Sequence, residues 1–393
     1  DNKVASAKIN ATHNLTIDGK AGAVGVGLTG GGVGAGAGVH IIKARTLATV
    51  TDSSIYASGL TEVTATSVKD IDSTALTAGI GAYAGIGGGA IVTLIGDDVK
   101  DEGAAEVNKD GTGTLSFVND FTTENKLDLL PTATGEGAPE ILTSSERAAL
   151  NSKVSKSTTD VTGSAGGYEF RTAAEVIDNT VNTGSLNVIA TDKTDTKALV
   201  GGLGVSLGGG VGGAVAYTTV KANVAAIVSG TTLTSTGDIN IKATADKDNG
   251  KTADVLAIAG GAGSVGIGAA VSYIDITNNV DAKLLNGANA GTGIITVTAE
   301  DKMDIDSDAK GAAIGGYAAG VVVSDVEKSS TINASVSGVI NAGGVTVTAT
   351  DEGDIISLGQ SAAAGISGAG SGAVVTATDG STVKAQALSN TTF

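Results

Sequence analysis

The stretch whose reading decides the fold is Ala198–Val220, ALVGGLGVSLGGGVGGAVAYTTV. It carries no charge and eight glycines, and nearly everything else in it is small or aliphatic. Related stretches stand at Ala21–Ile42, Ser73–Gly96, Val255–Ile274 and Gly311–Ser324, with a weaker one at Ser361–Thr378. Inside them the period is two. Leu203, Val205 and Leu207 alternate with Gly202, Gly204 and Ser206, and Val265, Ile267, Ala269 and Val271 alternate with small residues. That is strand patterning. Glycine pairs and triplets such as Gly208-Gly209-Gly210 supply the corners. As a helix the 23 residues of Ala198–Val220 would span a bilayer. Eight glycines would cost that helix about 8 kcal/mol relative to alanine, and its side chains are too small to drive insertion. Two G-x-G-x-x-G matches, at Gly25–Gly30 and Gly261–Gly266, lack the strand–loop–helix unit of a dinucleotide site.

Working outward, each of the five stronger glycine-rich stretches leads to a Val/Ile-x-Ala-Thr/Glu motif, whose alanines are Ala65, Ala190, Ala243, Ala299 and Ala349. Their spacings are 125, 53, 56 and 50 residues. A repeat near 53 residues follows, with extra chain in the long interval. From Asp97 to Arg171 the composition changes. Both prolines and three of the four phenylalanines fall there. The spacing of Ala173 to Ala190 matches that of Ala48 to Ala65 and marks the return of the repeat, and Val39 and Val323 take corresponding places before their alanines. The expected fold is all-β: a parallel β-helix, or solenoid, in residues 1–96 and 172–393, with a small mixed α/β insertion lobe in 97–171. Each repeat is expected to hold two or three rungs. In the lobe, Thr143-Ser144-Ser145-Glu146 has capping-box spacing and predicts a helix from about Ser144 to Val154; Gly111–Val118 reads as a turn and strand.

Composition agrees with thin layers. Apolar content comes from Ala, Val and Ile, with 3% aromatics and no tryptophan. Net charge is −17, which repels nucleic acid and anionic membrane surfaces. No cysteine is present, so disulfides, thiolate metal sites and a cysteine nucleophile are excluded.

The acidic turns after the motif suggest a carboxylate ladder: Asp70 and Asp72, Asp192 and Asp195, Asp246 and Asp248, Asp301 and Asp304, Asp351 and Asp354. Stacked carboxylates suit Ca2+, although the G-G-x-G-x-D calcium repeat is absent; the alternative is a solvated turn. Phe117, Phe121, Tyr168 and Phe170 are the partner-contact candidates, because aromatics dominate binding hot spots; the same residues would also serve as a lobe core. Threonine runs such as Thr346/Thr348/Thr350 either display hydroxyls to a glycan or to ice, or simply suit a solvated strand. His13 and His40 have no evident partners, no convergent nucleophile, base or metal set appears in the sequence, and no enzyme is expected.

The order glycine-rich run, Ala-Val-x-Tyr (Ala214–Tyr217), polar strand (Val220-Lys221-Ala222-Asn223; Ile276-Thr277-Asn278-Asn279), then Ile/Val-x-Ala-Thr-Asp resembles the repeats of very large bacterial exoproteins. These are the filamentous-haemagglutinin-like and leukotoxin-like adhesins and toxins of two-partner secretion or autotransport. The resemblance covers roughly residues 1–96 and 172–393, and residues 97–171 match no known pattern. It implies a right-handed parallel β-helix, an extracellular or bacterial cell-surface location, and an adhesive rod contacting a host or neighbouring-cell receptor or glycan. A secreted cytotoxin with membrane-active Gly/Ala segments and a self-associating matrix protein remain the alternatives, with membrane insertion the less favoured route.

Overall fold

The computed structural model describes residues 3–96 and 170–393. Every regular element among them is a strand, and every pairing between neighbouring strands is parallel. The chain is all-β, and its parallel sheets stack as in a β-solenoid. The sheets have twelve, six and five strands.

One circuit shows the plan. The outgoing strand Ser185–Ser206 runs to a tip at Leu207-Gly208, and the chain returns along Gly209–Lys221. The short strands Asn223–Ser229 and Thr232–Ser235 then close the circuit through the six- and five-stranded sheets. Between those two sheets the backbone turns through left-handed residues at Asp52, Asp178 and Gly230 in successive circuits. The motif alanines form one ladder, Ala65–Ala190–Ala243–Ala299–Ala349, which Ala11 of the first circuit, not singled out by the spacing, extends by one. Each interval in that ladder is therefore one rung, not two or three. The 22-residue outgoing strand absorbs the length expected to be split among several short strands.

Two register assignments made from spacing alone are corrected. Ala48 pairs with Ala174, and Leu47 with Ala173. The corner entering Leu60 has one residue more than the corner entering Ser185, since Ser54 pairs with Thr180 and Leu60 with Ser185. Val323 lies in the row of Val271, Val215, Ala90 and Ala37, two positions from the row of Val39. Tyr217 and Tyr273, in contrast, pair directly.

The corner after the return strand takes Lys43–Arg45 in the first circuit and Lys221–Asn223 in the third. In the second circuit residues 96–171 stand between the equivalent positions Ile95 and Thr172. The predicted helix at 144–154, the strand at 111–118 and the lobe as a whole lie outside the described residues.

Side-chain parity divides each circuit into a body and a blade. On the first half of the outgoing strand Leu186, Val188 and Ala190 point inward. They pack with Ala174, Val176, Val181 and Leu233 in one continuous core. A strand keeps its alternation, so the same inward parity continues to Gly202 and Gly204. The large residues Leu203 and Val205 have changed parity and face outward. Beyond that point the inward face is glycine, and the two strands press backbone to backbone. A Cβ added at Gly204 would lie 2.1 Å from the Val211 carbonyl oxygen; at Gly79 it would lie 1.9 Å from that of Ile86. The glycines are what make the blade thin.

Candidate functional site: the blade and its crest

Five of the six tips carry a large exposed apolar side chain. Leu28 is 88% exposed, Tyr83 74%, Leu207 82%, Tyr317 62% and Ile366 96%. The fourth tip has Ser264 followed by exposed Val265. Below this crest, on the outgoing face, Val24, Val26, Leu76, Ile80, Leu203, Ile258 and Ile314 are also exposed. Charged residues resume towards the body, at Lys20, Asp72, Lys197 and Asp254, and Lys310 stands in the row of Leu76 and Ile258. A contiguous apolar surface of this kind is uncommon on a solitary soluble domain and marks a contact surface. Glycine accounts for the thinness of the blade, and nothing in the packing of the body requires large apolar residues at its tips.

The returning face differs. Val215 and Val271 are buried and pack with Val323. The Tyr217 and Tyr273 rings stack with centroids 4.9 Å apart. Burial, followed by the neighbouring Tyr217, pushes the Tyr273 phenol well above its ordinary range.

The acidic residues do not form one ladder. Asp192, Asp301 and Asp351 share an inward row with His13, Ser67 and Ala245. Lys69 Nζ donates to both Asp192 oxygens at 2.6 Å, and Thr172 and Thr194 donate to them as well. Asp301 accepts from Asn278 at 3.0 Å, with Lys328 nearby. Burial holds the Asp301 carboxyl above its usual range against the pull of Lys328 and Asn278. Lys328 also pairs with Asp351. Asp195 accepts backbone N–H bonds from Asp248, Asn249 and Gly250 at 2.8–2.9 Å. Asp248 pairs with Lys193, Asp304 with Lys247, and Asp246 accepts from the N–H of Lys247. The Asp354 N–H donates to Asp304. Asp70 and Asp72 face solvent. The buried and half-buried carboxylates Asp192, Asp195, Asp248, Asp301, Asp304 and Asp351 are thus met by lysines, threonines and amide N–H groups. Among the described residues no three His, Cys, Asp or Glu side chains converge to hold a metal ion.

Of the four aromatic contact candidates, Phe117, Phe121 and Tyr168 lie outside the described residues. Phe170 is half-buried, with Lys43 Nζ 5.5 Å from its ring centroid. His13 and His40 both point inward in the first circuit. His40 fills the space above Gly19, where a Cβ would come within 2.5 Å of its ring, and burial depresses its pKa. Thr346 and Thr348 face solvent from the last circuit. Among the described residues no helix is long and apolar enough to cross a membrane.

Sequence reasoning passed over the crest. Its signal is one large apolar residue set among glycines at each tip, together with the parity change along the outgoing strand.

A scan of protein-family models, a search of curated proteins and a search of solved structures each find no match to this chain.

Proposed function

We propose that this chain is a non-enzymatic structural and adhesive segment of a secreted or surface-displayed bacterial exoprotein, built on a repeat near 53 residues. The apolar blade makes contact with a cell-surface partner, and residues 97–171 form a second element displayed from the solenoid. The observation that carries this reading is the crest of exposed Leu28, Tyr83, Leu207, Tyr317 and Ile366. The solenoid supports the reading by holding these side chains along one edge, with circuits about 4.8 Å apart and the fourth tip contributing Val265. The resemblance to large exoprotein repeats supplies the bacterial surface as the setting. Paired carboxylates and lysines in the body serve register and solubility.

The test is binding of labelled chain to bacterial and epithelial cells. Replacing Leu28, Tyr83, Leu207 and Tyr317 together by serine is expected to lower binding at least about ten-fold, a loss of about 1.4 kcal/mol, with an unchanged circular dichroism spectrum. Undiminished binding by the folded variant refutes the blade as the contact. Loss of binding on deletion of 97–171 instead would assign contact to that segment. Dye release from vesicles would support the cytotoxin alternative.

A further inference from the structure

The two flanks of the blade are not equivalent, and the difference identifies a specific occupant. On the returning flank the rows nearest the body are closed: Val215, Val271 and Tyr217 are buried. On the outgoing flank the rows remain open from body to crest. Their registers are Gly22–Leu76–Gly201–Ile258–Lys310–Gln360, then Val24–Ala78–Leu203–Gly260–Ala312–Ala362, then Val26–Ile80–Val205–Ala262–Ile314–Ala364, so that only the row nearest the body ends in polar side chains. Large and small residues alternate from Gly22 to Ile258 in the first row and from Val24 to Gly260 in the second. Leu76 Cδ2 lies 2.7 Å from where a Cβ of Gly201 would stand, and Leu203 Cδ1 lies 3.0 Å from that of Gly260. Leu76 and Leu203 thus each lean across a glycine of the next circuit, which lowers the relief of those two rows.

We propose that the outgoing flank packs face to face against the same flank of a second copy of this chain, forming a two-fold sheet-on-sheet interface. Six circuits about 4.8 Å apart, and about six residues of rise from the Gly22 row to the crest, give a face of roughly 600 Å², apolar except at the corner held by Lys310 and Gln360. Two such faces cover roughly 1,200 Å², the lower bound for a specific interface. Flat antiparallel or aligned sheets pack in this way through apolar faces, and a two-fold interface uses one patch twice. A lipid surface is the poorer fit: immersion would need both flanks of the blade, and the chain's net charge of −17 repels anionic headgroups. The inference rests on the blade being a contact surface, but its test uses no cell, so its failure is separable from failure of adhesion.

The experiment is light scattering coupled to size exclusion on the whole chain at about 100 μM, a concentration that detects even a weak dimer. The expected mass is twice the 37.8 kDa of the chain. Because each copy carries −17 charges, the dimer fraction should rise as salt is raised from about 0.05 to 0.5 M. Ile80→Asp with Leu203→Asp should weaken association at least ten-fold. Ala78→Lys, a milder change on the same flank, should do likewise if the double variant unfolds. Val33→Asp, exposed on the returning flank, should leave the dimer intact. A wild-type monomer overturns the proposal, as does a monomer that co-sediments with phosphatidylcholine vesicles. So does a dimer broken by Val33→Asp and spared by the outgoing-flank variants.

Discussion

Lys69 and Asp192 show what a single pair does inside a solenoid. Both side chains are almost fully buried, and two threonines complete the carboxylate's hydrogen bonds. Removing only the lysine strands a charge. Lys69→Met is expected to cost about 3–5 kcal/mol, read as a shift in denaturant midpoint. Lys69→Met with Asp192→Leu should recover more than half of that loss, because the two sites are directly coupled. His40 gives the pH dependence. Burial lowers its folded pKa below the unfolded value of 6.5, so the unfolded chain takes up the proton first. The stability it contributes is complete above that value and is lost as pH falls through the folded pKa. Thermal melts should therefore show the midpoint falling from pH 7 to pH 5, and His40→Leu should flatten that slope. None of these roles was legible in the sequence. An aspartate after Ala-Thr reads as the start of a turn, whereas the strand runs straight through Asp192 and sends it into the core.

At the level of the element, the alternation and the glycine runs announced strands, and the small residues announced a close approach of two sheets. Both features stand in the structure. Its economy of rungs did not show in advance, because a 22-residue strand lies far above the usual five or six residues. The deciding detail is parity. Apolar residues fall on even positions at Leu186, Val188 and Ala190, then on odd positions at Leu203 and Val205. A strand cannot change faces between them, so the second set must face outward. Gly204 tests the blade directly. A methyl group there would meet carbonyl oxygens of Val211 at 2.1 Å and Gly85 at 2.4 Å. Gly204→Ala should cost about 1–3 kcal/mol through overpacking. Hydrogen exchange should rise in the strands flanking Leu207 while the amides of Leu186–Ala190 stay protected.

Taken as a whole molecule, the described residues make a plate more than a rod. The six circuits rise about 29 Å along the stacking axis, while one outgoing strand is about 70 Å long. Breadth, rather than reach, is what each circuit adds. The motif alanines were sufficient to find the stacking, since they fall in one ladder. They did not reveal which surface would be left apolar, because composition is blind to facing.

The stacking direction also decides how the molecule would answer a pull. Circuits are joined along the axis by hydrogen bonds between parallel strands, so axial tension loads one whole circuit at its seam. A circuit that lets go frees some fifty residues, about 180 Å of slack chain for a loss of about 4.8 Å of stacked length. Stretched this way, the solenoid is a spool: compact at rest, and able to pay out line one turn at a time while the remaining turns hold.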